Sequence, residues 1–107
     1  PAGTELVFLS GQVGVRPDGS TPPTLEEQAE QMFNNIAAIL QAHKLDQTAI
    51  VKITLFVVAG QDIRTVRTAR AKLLGPHKPT STAVFVSQLI DPKLLVECEV
   101  IASKQVG

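Results

Sequence analysis

Residues 49–58, AIVKITLFVV, restrict the fold more than any other stretch. In an extended strand Val51, Ile53, Leu55 and Val57 share one face, while Phe56 and Val58 bring apolar bulk to the other beside Lys52 and Thr54. A strand of this kind reads as central, with burial wanted on both faces. The chain has 107 residues, enough for one domain that buries about two-thirds of its unfolded surface.

Two helices are predicted to cover one of those faces. Thr24 and Glu27 have capping-box spacing, and Glu26 adds negative charge to the first turn. Leu25, Ala29, Met32, Phe33, Ile36, Ala37, Ile39 and Leu40 then recur at helical spacing, which predicts a helix over residues 25–43. His43 at its end suits the macrodipole. Asp62 is placed to cap a second helix over residues 63–74, closed by Gly75 and Pro76. Ile63, Val66, Leu73 and Leu74 make its apolar stripe; Arg70 falls in the middle of that stripe and Arg67 at its edge.

Further strands flank these helices. Residues 5–10 read as a strand, broken at Gly11 and resumed over residues 12–15, with Gly11 and Gly14 predicting a bulge or a close backbone approach. Residues 16–20, RPDGS, form a turn. A strand over residues 80–86 and a turn at 90–93 lead to a closing strand over residues 94–102. There Leu94, Val96, Cys98, Val100 and Ala102 make an apolar face, and Leu95, Glu97, Glu99 and Ile101 the other. Two carboxylates on one strand face either dot a solvated surface or serve a site. This order predicts a single-domain α+β two-layer sandwich, with both helices on one face of the sheet. The uncovered face is expected to meet other copies of the chain, giving a homo-oligomer with sites at its seams.

Composition excludes several functions. Lys and Arg number 10, as do Asp and Glu, so no net field steers the chain to nucleic acid or an anionic membrane. The absence of Tyr and Trp, with only 4 Phe, leaves few platforms for base stacking. The single cysteine cannot form an internal disulfide, which leads us to expect a reducing, cytoplasmic setting. No apolar run approaches the roughly 20 residues of a membrane span, and the first residues lack a basic leader region. Cys98 alternates away from Glu97 and reads as core packing. His43 and His77 stand apart, so no metal site is expected, and His77 is expected as an exposed loop residue. The glycines of residues 11–14 are not a dinucleotide fingerprint, because a turn follows them.

Three blocks in order, FLSGQVG at residues 8–14, VKITLFV at 51–57 and VECEVIA at 96–102, make the chain resemble the RidA/YjgF family (endoribonuclease L-PSP-like) over essentially its whole length. The resemblance implies a chorismate-mutase-like fold with a mixed sheet, a homotrimer whose sheets form a central barrel, and ligand clefts between subunits. It implies cofactor-free hydrolysis of reactive enamines and imines such as 2-aminoacrylate, with release of ammonia. Glu97 then places or activates the water, and Ser10 and Gly11 contact the ligand. A tyrosine of the family pattern falls ahead of Pro1.

At one position the chain departs from that pattern. Where the resemblance puts an arginine that clamps the substrate carboxylate, this chain has Ser81. A charge-assisted pair is worth about 1.5–3 kcal/mol, so a carboxylate ligand is expected to bind about tenfold or more weakly, which puts activity on 2-aminoacrylate in doubt. The second helix carries Arg67 and Arg70 where the family commonly has an asparagine and an aromatic residue. One of them either supplies a relocated cation for an anionic ligand or pairs with Glu97 or Glu99 across the trimer seam. The expected function is binding of a small imine, enamine or carbonyl metabolite between subunits, with hydrolytic deamination at Glu97. The alternative is a metabolite-binding or regulatory trimer without turnover. Endoribonuclease activity, a third implication, fits poorly with zero net charge and few aromatics.

Overall fold

The computed structural model describes residues 3–106. Its elements in chain order are β1 (Thr4–Val13), α1 (Leu25–Ala42), β2 (Ile50–Val58), α2 (Ile63–Leu74), β3 (Thr80–Val86) and β4 (Val96–Gln105). One four-stranded sheet has the order β1-β4-β2-β3. The last strand inserts between the first two, antiparallel to both, while β2 and β3 run parallel through the α2 crossover. The sheet is therefore mixed and the fold α+β, as expected.

The alternation read in the sequence decides which face is sealed. Leu55 lies opposite Cys98, Ile53 opposite Val100 and Val57 opposite Val96, and all six are 0 or 1% exposed. They pack with Ala29, Met32, Phe33, Ile36 and Leu40 of α1 and with Val66, Ala69 and Leu74 of α2. Each large aliphatic side chain buried there stabilises the fold by about 1.5–3 kcal/mol. Thr24 starts α1 by accepting the Glu27 N–H at 3.2 Å, and its hydroxyl donates to the Glu27 carboxylate at 3.0 Å. Asp62 caps α2 through the Arg64 N–H at 2.9 Å; the Arg64 side chain, which also bonds Asp62, holds this carboxyl below its usual range.

Several boundaries differ from the sequence expectation. The two strand pieces before the first turn form one strand, because a bulge between Leu9 and Gln12 lets pairing with β4 continue past Gly11. β4 starts at Val96 rather than Leu94 and extends to Gln105, where its end pairs with Thr4. Leu95 instead donates its N–H to the Gln28 side chain. A 3-10 turn at Gln47–Ala49, capped by Asp46, precedes β2. Val51 is 44% exposed because the pairing shifts between Ile50 and Lys52 and carries it off the buried face.

Gln28 and Asn35 of α1 fix the segments that border the site. Gln28 is 1% exposed, and its amide bonds the carbonyls of Pro22 and Lys93 and the Leu95 N–H, so all its polar atoms are used. Asn35 donates to the carbonyls of Val13 and Val15 at 3.1 and 2.9 Å. Between those carbonyls, Gly14 passes so close to α1 that a Cβ there would lie 2.6 Å from the Gln28 Cα. The close backbone approach read from Gly14 is thus present. No described helix is long and apolar enough to cross a membrane.

Candidate functional site

Two groups of polar side chains occupy opposite faces of the sheet. The first lies at the β1 bulge. Val13 pairs with Glu97, and Glu97 pairs with Phe56, on the face away from the helices. The bulge turns Ser10 and Gly11 outward, both exposed. The Glu97 carboxylate folds over Gly11, where a Cβ would lie 2.9 Å from the Glu97 Cδ. A side chain at this position would push that carboxylate aside, and glycine lets it stay. Half-buried Glu97 makes no side-chain hydrogen bond or ion pair among the described residues, so its oxygens are free to accept a proton or a hydrogen bond.

Around it the sheet stays open. Leu6 and Phe8 on β1 are 57 and 69% exposed, and Val84 on β3 is 41% exposed. Glu99, the second carboxylate of β4, is exposed opposite Thr54 on the same face. Leu6, Phe8 and Val84 thus leave apolar area open on the face that carries Glu97 and Glu99.

The second group lies on the helix side, at the β3 edge. Ser81 pairs with buried Ile53, so its side chain belongs to the inner face. Arg70 of α2 donates from Nη1 to the Ser81 Oγ at 2.9 Å. Arg67, one turn earlier on α2, is exposed and bonds no described side chain. Within one chain, neither arginine meets Glu97 or Glu99. The bulge residues and the arginines are thus split between the two faces, and a single copy does not bring Ser10, Gly11 and Glu97 together with Arg67, Arg70 and Ser81.

His77 corrects the expectation of an exposed loop residue. It is half-buried, and its Nε2 bonds the Ile50 carbonyl at 2.8 Å, which ties the α2–β3 loop to the start of β2. Cys98 is 0% exposed, and burial pushes its thiol up to about 12, with Glu99 adding to that rise and Arg70 opposing it. A thiol held protonated is no nucleophile at neutral pH. Among the described residues no group of three or more His, Cys, Asp or Glu side chains could hold a metal ion. Gln28 and Asn35 were not read as positioning residues, though each is a polar residue interrupting the apolar rows of α1. Gln28 falls between Leu25 and Met32, where a polar side chain has to find buried partners.

The chain matches the family described as Endoribonuclease L-PSP over residues 2–104 and belongs to it. It is 32% identical over 96 residues to Reactive Intermediate Deaminase A, chloroplastic, of Arabidopsis thaliana, an alignment covering 87% of this chain and 51% of that protein. It is 31% identical over 103 residues to a RutC family protein of Pyrococcus horikoshii, covering 94% of this chain and 80% of that one. The solved structure of E. coli TdcF with bound serine is similar at a TM-score of 0.84 and 31% identity, covering 92% of this chain and 79% of that chain. The chain thus spans about half the length of its Arabidopsis relative.

Proposed function

We propose that this chain assembles as a homotrimer of the RidA type and takes a small imine, enamine or carbonyl metabolite into clefts between subunits. There Glu97 acts as the general base for water. The observation that carries the reading is the Glu97 carboxylate, unpaired among the described residues and seated over Gly11 on an open, partly apolar sheet face. Family membership and the name of the Arabidopsis relative, a reactive intermediate deaminase, support it.

The chemistry balances without a cofactor. An enamine first tautomerises to its imine. Water adds to the imine carbon while Glu97 accepts a water proton and passes it to the imine nitrogen, giving a neutral carbinolamine. Glu97 then takes the carbinolamine hydroxyl proton and delivers it to the amine, which leaves as ammonia, so one water is consumed for each carbonyl product and ammonia formed and the carboxylate is restored. Ser10 and the exposed backbone at Gly11 contact the ligand. Subunit packing against Leu6 and Phe8 removes bulk water from the cleft, which strengthens the pull of the carboxylate.

A second reading, a trimer that binds such metabolites without turnover, is favoured by Ser81 standing where the family resemblance puts an arginine. Ammonia release from freshly generated 2-aminoacrylate and from an uncharged imine separates the two. The deaminase reading predicts release above the buffer rate that Glu97→Gln abolishes. Buffer-rate release from both compounds, in wild type and variant alike, leaves the binding reading.

A further inference from the structure

Past its bulge, β1 keeps its register with little support from the sheet. Six pairs with β4 precede the bulge, from Thr4 with Gln105 to Leu9 with Val100, and only two follow it, Gln12 with Cys98 and Val13 with Glu97. Ser10 and Gly11 share the space opposite Glu99, one residue too many. Closing the bulge would continue the first register and pair Gly11 with Cys98 and Gln12 with Glu97. Because paired residues share a face, that slip would turn Gln12 outward and Val13 toward the helices, the arrangement their polarity favours. The observed register does the reverse, with Gln12 on the side of buried Cys98 and Val13 on the open side. Something other than strand patterning holds it.

The helix α1 supplies that hold. Asn35 Nδ2 donates to the Val13 and Val15 carbonyls at 3.1 and 2.9 Å, and its Oδ1 accepts from Gln31 Nε2 at 2.8 Å, so both ends of the amide are engaged. Gly14, between those carbonyls, seats the chain against the Gln28 backbone. Two turns back on the same helix face, Gln28 accepts the Leu95 N–H at 2.8 Å and so pins the chain two residues before Glu97. One rigid element thus sets the positions of both β1 and β4.

We propose that Asn35 is a positioning residue that locks β1 in its bulged register and so keeps Gly11 beneath the Glu97 carboxylate. Gln28 acts with it by fixing the strand that carries Glu97. In the closed register the Gln12 side chain stands beside Glu97, and Gly11 moves to the other face. That the register governs turnover rests on the Glu97 reading above; the lock itself does not.

NMR of the isotope-labelled chain reads the register from cross-strand NOEs of the Glu97 backbone, to Val13 when the bulge is present and to Gln12 when it is closed. Wild type is expected to show the Val13 pattern, and Asn35→Ala mainly the Gln12 pattern. Leu40→Ala, which removes a buried side chain elsewhere on α1, is expected to lower stability yet keep the Val13 pattern. Adding Gln12→Val and Val13→Gln to Asn35→Ala matches polarity to the bulged register and is expected to restore it, which a purely structural role for Asn35 would not allow. A Val13 pattern kept in Asn35→Ala, a Gln12 pattern in Leu40→Ala, or no restoration by the exchanged pair overturns the proposal. Should Asn35→Ala not fold, the wild-type side chain decides: slow solvent exchange of the Asn35 Nδ2 protons supports the lock, and exchange as fast as that of an exposed amide overturns it. Ammonia release is expected to fall about 100-fold in Asn35→Ala and to return with the exchanged pair. Registers as expected but no release from wild type, or release indifferent to the slip, contradicts only the Glu97 reading.

Discussion

On the helix side of the sheet, Ile53, Leu55, Val57, Val96, Cys98 and Val100 are all but sealed from water, whereas on the other side Phe56 and Glu97 are half-buried and Leu6 and Phe8 lie more than half exposed. The same strands supply both sets, one residue apart. The covered side accounts for why a single copy folds: its apolar rows are continuous and its buried polar side chains are satisfied among the described residues. The open side carries a carboxylate with no described partner and more apolar area than a solvated sheet needs. If the proposed role of Glu97 holds, the core that stabilises one copy and the carboxylate of the proposed reaction lie on opposite faces, and perturbations of the two should separate.

The largest effect on stability is expected from the covered side. Leu55→Ala should cost about 2–5 kcal/mol, read as a fall in the urea midpoint at unchanged slope. A loss under about 1 kcal/mol would mean that this face is not the core.

The thiol between β4 and the helices gives the next largest effect, through pH. Its folded value of about 12 lies above its ordinary 9.0, so the folded state favours the neutral thiol. The stability linked to Cys98 is fully present below pH 9.0 and is lost as pH rises toward 12. Urea midpoints between those limits should fall more steeply for wild type than for Cys98→Ala; parallel curves would contradict the burial. Iodoacetamide at neutral pH should label Cys98 only after unfolding.

On the open side, Gly11→Ala should change stability least and chemistry most. The added methyl displaces the Glu97 carboxylate, a flexible group, so unfolding should shift by less than about 1 kcal/mol. If Glu97 is the base, ammonia release should fall by about 100-fold, since a misplacement near 1 Å is enough. Retained activity would detach Gly11 and Glu97 from the reaction.

The contrast between the faces also marks what the sequence could convey. Strand alternation at residues 94–102 and 49–58 identified the buried rows, and Thr24, Asp62 and Gly75 marked helix ends, because these signals are local. The bulge was legible at Gly11 only as an irregularity, since whether pairing resumes depends on β4, far away in the chain. The 3-10 turn at Gln47–Ala49 was missed because Asp46 and Thr48 look the same in any polar loop. His77 was misjudged for a similar reason: its partner is the Ile50 carbonyl, a contact fixed by the α2–β3 loop and invisible in local pattern. The pairing of Arg70 with Ser81 lay out of reach too, as it joins α2 to the edge strand across the parallel crossover.

The proposed site at Glu97 depends on other copies covering the open face, and sedimentation equilibrium of the wild-type chain tests that most directly. The account predicts one species of three times the 11.4 kDa chain mass, reduced to single chains that remain folded by Phe8→Asp. A wild-type species of 11.4 kDa at micromolar concentration, with Leu6 and Phe8 left to solvent, would contradict it.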